Sequence, residues 1–219
     1  MTITDNSDAS TPGEIELSRS DRRRRAILDV ARDVFLKEGY AAASMSGIAA
    51  RLGGSKGTLY NYFRSKEELF AAFMTDACGE QANALLDHMP DLGEDPHAAL
   101  VETGAGLVAL VLSPPVMAIS RLVVAESERF PELGQVFYET GPRKGDLRLA
   151  GHFDRAIEQG HLRPVDSMIL ARRFKNLCIG DLYDRRLWGV IPHPTTEELR
   201  ASVSEGVSIF LAAYGTAKR

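Results

Sequence analysis

The chain has 219 residues, of which 44% are hydrophobic and 26% are charged, and its formal net charge is −4. This composition is typical of a globular protein of about one and a half domains, and it excludes a disordered or fibrous chain. The overall acidity by itself argues against a nucleic-acid partner. Two cysteines are too few for a disulfide scaffold, and their apolar-periodic surroundings favour reduced core thiols in a cytoplasm.

The ends of the chain and its apolar runs bear on location. Residues 1–18 are polar, acidic and rich in Ser and Thr, which predicts a disordered N-terminal arm rather than a secretory signal. The longest apolar run, Leu107 to Ile119, is interrupted by Ser113, Pro114 and Pro115 and is shorter than a membrane span. We therefore expect a cytoplasmic protein with no membrane partner.

Basic residues are concentrated near the N-terminus. Between Ser18 and Lys66, eleven cations stand against four carboxylates, a surplus of seven positive charges. A local basic segment in an acidic chain is the electrostatic footprint of a nucleic-acid-binding unit. The run Arg22 to Arg25 opens the first predicted helix. It is interpreted equally well as a solvated helix face or as part of a basic arm that reaches the DNA backbone or minor groove.

In chain order, the first predicted helix has an apolar stripe and ends at Gly39, which suits a C-terminal cap. Ser44 is the predicted N-cap of a short second helix. Gly53 and Gly54 follow that helix and permit a sharp turn. Ser55 then predicts the N-cap of a third helix, which is also short.

The third predicted helix separates apolar from polar residues. Leu59 and Phe63 are four residues apart and face inwards, so the polar side chains between them face outwards. Ser65 with Glu68 predicts a capping box that begins a longer fourth helix, ending near Leu86. Two short helices joined by a glycine turn are typical of a helix-turn-helix, whose second helix enters the major groove of DNA.

The segment IAARLGGSKGTLYNYFRSKEEL, Ile48 to Leu69, resembles the N-terminal domain of the TetR/AcrR family at many positions of fixed spacing. Lysine binds phosphate, hydroxyl groups bind the DNA backbone, and the Asn61 amide can pair with adenine through two hydrogen bonds. With the N-cap Ser55 added, the resemblance implies that these residues contact DNA: Ser44, Ser55, Lys56, Gly57, Thr58, Tyr60, Asn61, Tyr62 and Lys66.

The segment departs from the family pattern at two glycines. Gly54 stands where the family usually has valine, and Gly47 stands where it often has an acidic residue. Both departures predict looser packing or capping around the third helix. A phosphate-cradling loop is the alternative for Gly53, Gly54, Lys56, Gly57 and Thr58, but their spacing does not match the Walker pattern and no strand precedes them.

The remaining chain is predicted to be helical, with no sustained strand alternation. The fold class is therefore all-α, with a three-helix DNA-binding domain at residues 19–66 and a helical effector-binding and dimerisation domain at residues 67–219. Proline and glycine signals place the later helices from Pro96 to about Leu112, from Pro114 to about Arg129, in pieces after Pro131 and Pro142 up to Gly160, from about Asp166 to Trp188, and from about Thr196 to Tyr214.

Signals of enzymatic chemistry are weak in this sequence. Gly104, Gly106 and Ala109 match a dinucleotide fingerprint, but they lie in a helical pattern without a preceding strand and instead predict close helix packing. No acid, base and nucleophile converge, and the histidines lack metal-ligand spacing. We expect neither an enzyme nor a cofactor or metal site.

The last two predicted helices are broadly apolar. Thr195 and Glu198 predict a capping box, and Gly206 predicts a close helix crossing. The family resemblance implies that these helices pair with their copies into a homodimer, although an ordinary intramolecular core would give the same pattern. The predicted dimer interface comprises Tyr183, Leu187, Val203, Val207, Phe210 and Tyr214.

The segment RLVVAESERFPELGQVFYETGP, Arg121 to Pro142, resembles AefR-like ligand-binding domains of the same family. This resemblance implies an effector pocket among the middle helices, lined by adaptable apolar side chains that suit a lipophilic or aromatic molecule. Ordinary core packing is the alternative for each of these residues. The predicted lining comprises Met74, Met89, Met117, Phe130, Phe137, Phe153 and Phe174.

These expectations together describe a ligand-responsive repressor. It would bind a palindromic operator in double-stranded DNA as a homodimer and be released by a small-molecule effector. The alternatives are a transcriptional activator and a protein-interaction module that uses the same fold without ligand control.

Overall fold

A computed structural model describes residues 18–216, apart from the side chains of Cys78 and Glu80. Within that range the chain is helical and has no strand, only an isolated bridge between Leu162 and Gly215. The all-α prediction is confirmed, whereas the predicted N-terminal arm lies outside the described residues except for Ser18. The helices are α1 (Arg19–Ala42), α2 (Met45–Arg51), α3 (Lys56–Tyr62), α4 (Lys66–Asp87), α5 (Pro96–Val111), α6 (Pro114–Glu126), α7 (Pro131–Thr140), α8 (Pro142–Glu158), α9 (Ser167–Ile179), α10 (Leu182–Leu187) and α11 (Thr196–Tyr214).

Local signals set most helix starts as predicted. Proline begins each helix from α5 to α8, where its missing N–H costs no hydrogen bond. Thr195 and Glu198 form the complete capping box of α11. Ser65 also caps α4, but the Glu68 carboxylate accepts from the N–H of Arg64 instead of Ser65, so that predicted capping box is only half formed.

Glycines with positive φ account for the differences in helix length. Gly39, with a φ of 85°, leaves helical geometry as predicted, but the chain continues as helix to Ala42 beyond this kink. Gly180, with a φ of 53°, divides the predicted helix from Asp166 to Trp188 into α9 and α10. L side chains rarely adopt this conformation, so glycine is favoured at both positions.

Buried side chains form two hydrophobic clusters. The first cluster is built by α1 to α4 and is extended by Ile119 of α6 and Leu133 of α7. The second cluster is built mainly by α5, α8, α9 and α11. Because α4 contributes Leu69 and Phe73 to the first cluster, the packing shows no break at residue 66. The division into residues 19–66 and 67–219 stays a prediction.

Glycines bring the helices of the second cluster close together. A Cβ on Gly206 would lie 2.5 Å from the backbone carbonyl carbon of Leu177, and one on Gly104 would lie 2.9 Å from the Val203 side chain. Gly206 and Gly104 therefore permit close crossings of α11 with α9 and α5, as predicted from the sequence.

Half of the predicted dimer interface is wrong, because α11 turns its apolar stripe inwards. Val203, Val207 and Phe210 are completely buried within one chain, where α11 packs against α9 and α5. They cannot contact a partner while the chain is folded in this way. The other three predicted residues are half-buried and pack against the same second cluster: Tyr183, Leu187 and Tyr214.

The predicted effector lining is divided between the two clusters, and its role as the lining of one pocket stays a prediction. The aromatic rings of Phe153 and Phe174 are completely buried and contact each other at 5.5 Å between centroids. These side chains fill core space, which was the alternative interpretation. The first cluster holds Met74, Phe130 and Phe137, and the second holds Met89, Met117, Phe153 and Phe174.

No described helix is by itself long and apolar enough to cross a membrane. Within residues 18–216, only α5 and α6 taken together have sufficient length and apolar character, and they are bent by 57° relative to each other.

Candidate nucleic-acid interface

The outer face of α3 is polar because its apolar residues point into the first cluster. Leu59 at the centre of α3 and Phe63 just beyond it are only 1% and 2% exposed. Positions two and six of α3 lie opposite Leu59, and positions one and five continue the same exposed arc to one side. Four predicted contact residues lie there and are exposed: Lys56, Gly57, Tyr60 and Asn61.

Ser44 and Ser55 fix the ends of the two short helices. The Ser44 hydroxyl accepts from the N–H of Gly47 at 3.1 Å, and the Ser55 hydroxyl accepts from the N–H of Thr58 at 3.2 Å. Both serines are exposed, so their hydroxyls are also available to a phosphate. Gly47 has no side chain that could return a second bond to the N-cap, so the looser capping predicted there stays a prediction.

Thr58 and Tyr62 lie at a groove between α3 and the N-terminal half of α1. The groove has a volume of about 700 Å³. Both side chains are half-buried, in contrast to the four exposed residues of α3. The groove therefore joins the polar face of α3 to the first turns of α1. Its lining comprises Arg19, Ser20, Arg22, Arg23, Ala26, Thr58 and Tyr62.

Gly54 leaves room for an arginine from α1. A Cβ on Gly54 would lie 2.6 Å from Nη2 of Arg23, so the guanidinium occupies the space that a larger residue would need. Arg23 thus fills the space beside Gly54, and the looser packing predicted there stays a prediction. The sequence shows both residues but gives no sign that they meet.

Lys66 is directed toward the protein rather than toward solvent. Its Nζ donates to the carbonyl oxygen of Tyr40 at 3.0 Å and lies 3.9 Å from the centroid of the Tyr40 ring. The Phe130 ring is 5.2 Å away. Burial lowers the pKa of Lys66, and nearby glutamates oppose that shift. Lys66 thus joins α4 to the end of α1 and the start of α7, and its phosphate contact stays a prediction.

The cations of α1 to α3 fall into two groups. Arg32, Lys37 and Arg51 pair with carboxylates of the same region. In the part of the chain that the structure describes, no carboxylate lies within 4.0 Å of a second group, Arg19, Arg22, Arg23 and Lys56. Arg24 and Arg25 also have no ion pair among the described residues, so the unpaired cations are concentrated in the first turns of α1 and at the start of α3.

Sequence reasoning missed a group of buried polar residues outside the helix-turn-helix. Asp146 is 4% exposed and pairs with Lys175. His152 is 2% exposed, and its Nε2 has no hydrogen-bond partner among the described residues; the same holds for the buried hydroxyl of Ser120. Arg186 donates through Nε to the carbonyl oxygen at the end of α5. No motif or spacing marks these positions.

Two family models match the chain. The model described as bacterial regulatory proteins, tetR family, covers residues 27–73. The model of the AefR-like transcriptional repressor C-terminal domain covers residues 98–216. The second model alone spans more than half of the chain.

Known proteins with similar sequence or structure are transcriptional regulators. The solved structure of the flavonoid-responsive regulator FrrA has a TM-score of 0.80 and 31% identity, covering 90% of this chain and 100% of that one. The HTH-type transcriptional regulator UidR of Escherichia coli is 26% identical over 170 residues, which is 74% of this chain and 80% of UidR. The HTH-type transcriptional activator FasR of Mycolicibacterium smegmatis is 48% identical over 54 residues, and this match spans only 25% of FasR.

Proposed function

Since the chain belongs to the TetR family of DNA-binding transcriptional regulators, we propose that it is a homodimeric repressor that a small molecule releases from a palindromic operator. The observation that carries the DNA-binding part is the exposed polar face of α3, beside which lie cations without an ion pair in the described part of the chain. Lys56 serves as a phosphate contact and Asn61 as a base contact. Two copies related by symmetry would place two α3 helices on successive half-sites.

The test of DNA binding uses duplex DNA from upstream of the chain's own gene. Asn61→Ala is expected to weaken operator binding by about 1–3 kcal/mol, a factor of about 5 to 150, because an amide that pairs with a base edge is removed. It should also reduce the ratio between the affinity for the operator and the affinity for a mutated operator. Fluorescence anisotropy at fixed salt measures both. Asn176→Ala, an exposed asparagine on α9, is the matched control. Absence of salt-sensitive binding by the unmodified protein would contradict the proposal.

A homodimer is supported by apolar side chains left exposed near the C-terminus. Trp188 is 72% exposed, Val190 66%, Ile209 48% and Ile169 39%. Large apolar side chains on neighbouring elements are typical of protein interfaces. These four residues take the place of the buried stripe of α11 as the proposed dimer contacts.

Sedimentation velocity tests the dimer. Ile209→Arg is expected to shift the protein from dimer to monomer, because it places a charge in the proposed apolar contact. Val124→Arg changes an equally apolar residue, 63% exposed on α6, and should leave the dimer intact. A dimer that persists in Ile209→Arg and dissociates in Val124→Arg would place the interface on α6 instead.

A response to a lipophilic or aromatic effector is supported by the relative FrrA, which is named for its response to flavonoids. The buried polar atoms of Ser120 and His152 that lack a hydrogen-bond partner among the described residues are candidate contacts for a polar group on such a molecule. Titration of the protein–operator complex with a panel of flavonoids is the test. Release of DNA supports the proposal, while a flavonoid that binds without changing operator affinity contradicts the allosteric part.

Activation is the second candidate, favoured by the short match to the activator FasR. The same contacts of α3 would serve either outcome, since they determine where the protein binds and not whether transcription rises or falls. Repression is preferred because residues 98–216 match the domain model of an AefR-like repressor. In vitro transcription from the bound promoter distinguishes the two: added protein lowers transcript yield in the first case and raises it in the second.

A further inference from the structure

We propose that Arg23, seated against Gly54, contacts a backbone phosphate of bound duplex DNA, and that the groove between α1 and α3 is the site of this contact. This inference rests on the proposed DNA binding by α3. It extends the interface onto α1, to a residue outside residues 27–73 that the family model covers.

The groove has the side chains that bind a phosphodiester. Arg19, Arg22 and Arg23 supply guanidinium groups, and Thr58 and Tyr62 supply hydroxyls. A guanidinium can bind phosphate through two parallel hydrogen bonds, and hydroxyls add neutral donors to the same oxygens. No carboxylate among the described residues lies within 4.0 Å of these arginines to compete for them. The groove is thus chemically complementary to an anion.

The position of Arg23 is set by the turn before α3. Its Nη2 would be only 2.6 Å from a Cβ on Gly54, so the guanidinium rests against the backbone at a place that only glycine leaves free. Arg23 is half-buried, whereas Arg22 and Arg24 on either side are exposed. Arg24 instead lies over the Phe63 ring, 5.4 Å from its centroid. A side chain already held in place loses less conformational entropy when it binds.

The location of the groove identifies the ligand as DNA rather than a free anion. Thr58 and Tyr62 line it from α3, the same short helix whose exposed side carries Asn61. When α3 lies in the major groove, a lining shared with α1 faces the sugar-phosphate backbone beside it. Arg23 therefore adds affinity and fixes the position of α3 without selecting bases.

The first experiment compares Arg23→Ala with Arg32→Ala by fluorescence anisotropy over a range of salt concentrations. Arg32 is nine residues further along α1, two and a half helical turns, so it faces the opposite side, and it is 4.0 Å from Asp29. Arg23→Ala is expected to weaken binding roughly tenfold on operator and unrelated duplex alike, and to reduce the salt slope by about one. Arg32→Ala should change neither appreciably.

The second experiment tests the role of Gly54 with a double-mutant cycle. Gly54→Ala is expected to displace the guanidinium and to reproduce most of the loss seen in Arg23→Ala. The combined variant should then be no weaker than Arg23→Ala alone. If the losses of DNA affinity in the two single variants add up in the combined variant, Gly54→Ala acts by changing the turn before α3. That result would overturn the inference that Gly54 positions Arg23. Circular dichroism confirms that each variant is folded.

The outcomes separate this inference from the proposed function. If the unmodified protein binds no duplex in a salt-sensitive way, the proposed function fails. If it binds and Asn61→Ala weakens binding, but Arg23→Ala matches Arg32→Ala in affinity and salt slope, the phosphate contact of Arg23 is overturned and the proposed function stands.

Discussion

His152 is a histidine that the fold keeps inside the protein. It lies in α8, is 2% exposed, and its Nδ1 is 3.3 Å from Nη2 of Arg155. Burial lowers the pKa of His152, the charge of Arg155 lowers it further, and Asp91 opposes the shift. A histidine in the unfolded chain has a pKa of about 6.5. As the pH falls through that value, the unfolded chain binds a proton first, so stability present above it is lost on acidification.

His152→Gln is therefore expected to make the protein less sensitive to acid. Between about pH 7.5 and about pH 5.5, the free energy of unfolding should fall more steeply in the unmodified protein than in His152→Gln. The difference in slope is at most about 1.4 kcal/mol per pH unit, the value for one proton. Urea denaturation at several pH values measures the slope. His88→Gln, which changes an exposed histidine just after α4, controls for the loss of a histidine. Equal slopes for His152→Gln and the unmodified protein would contradict the prediction.

Individual residues of the site could be predicted where their role is local. The caps at Ser44 and Ser55 and the burial of Leu59 follow from side-chain chemistry and helical periodicity. The contact partner of the Lys66 amine could not be predicted, because the aromatic ring and carbonyl of Tyr40 belong to a part of the chain that is distant in sequence. The contact between Arg23 and Gly54 was hidden for the same reason.

At the scale of helices, boundaries could be predicted and partners could not. Prolines and N-cap residues can be identified from the sequence alone, and they predict the boundaries of α4 to α8 and α11 to within a few residues. The apolar stripe of α11 was also predicted, but it was assigned to a second subunit. Periodicity shows which face of a helix is buried and not what covers it. Here α9 and α5 cover it.

The crossing of α9 and α11 makes a prediction about Gly206. Gly206→Ala would place a Cβ 2.5 Å from the backbone of Leu177, which cannot move aside as the end of a flexible side chain can. We expect the free energy of unfolding to fall by about 1–3 kcal/mol. Gly151→Ala makes the same change inside α8, where a Cβ would meet nothing within 4 Å, and should raise stability by about 0.5–1 kcal/mol.

Denaturant titrations followed by circular dichroism compare these two variants directly. Helix propensity favours alanine equally at both positions, so the difference between them isolates the close approach of α11 to α9. A Gly206→Ala variant as stable as Gly151→Ala would show that the two helices do not cross as closely as the structure indicates.

At the scale of the whole molecule, the helix-turn-helix is not packed as a separate unit. Tyr40, at the end of α1, is completely buried, and its hydroxyl donates to Glu67 of α4 at 3.2 Å. Its ring lies 5.4 Å from that of Phe130 at the start of α7. The neighbouring N–H of Ala41 donates to Glu126 of α6 at 3.3 Å. The helices that position α3 therefore share one core with α6 and α7, and we expect a change in α6 or α7 to alter the DNA-binding end.

Phe130→Ala tests this shared core. Removing the ring takes away contacts with Tyr40 and Lys66, and we expect the free energy of unfolding to fall by about 1–3 kcal/mol. Hydrogen exchange should quicken not only at the start of α7 but also around Tyr40 and Lys66, because local opening follows the packing and not the chain order. Tyr138 lies in the same helix and is 42% exposed. Tyr138→Ala therefore removes a ring outside the shared core and should leave exchange in α1 and α4 unchanged. If exchange in Phe130→Ala became faster in α7 alone, the DNA-binding helices would be held independently of α6 and α7. An effector that acts on α7 would then have no continuous packing through which to affect α3.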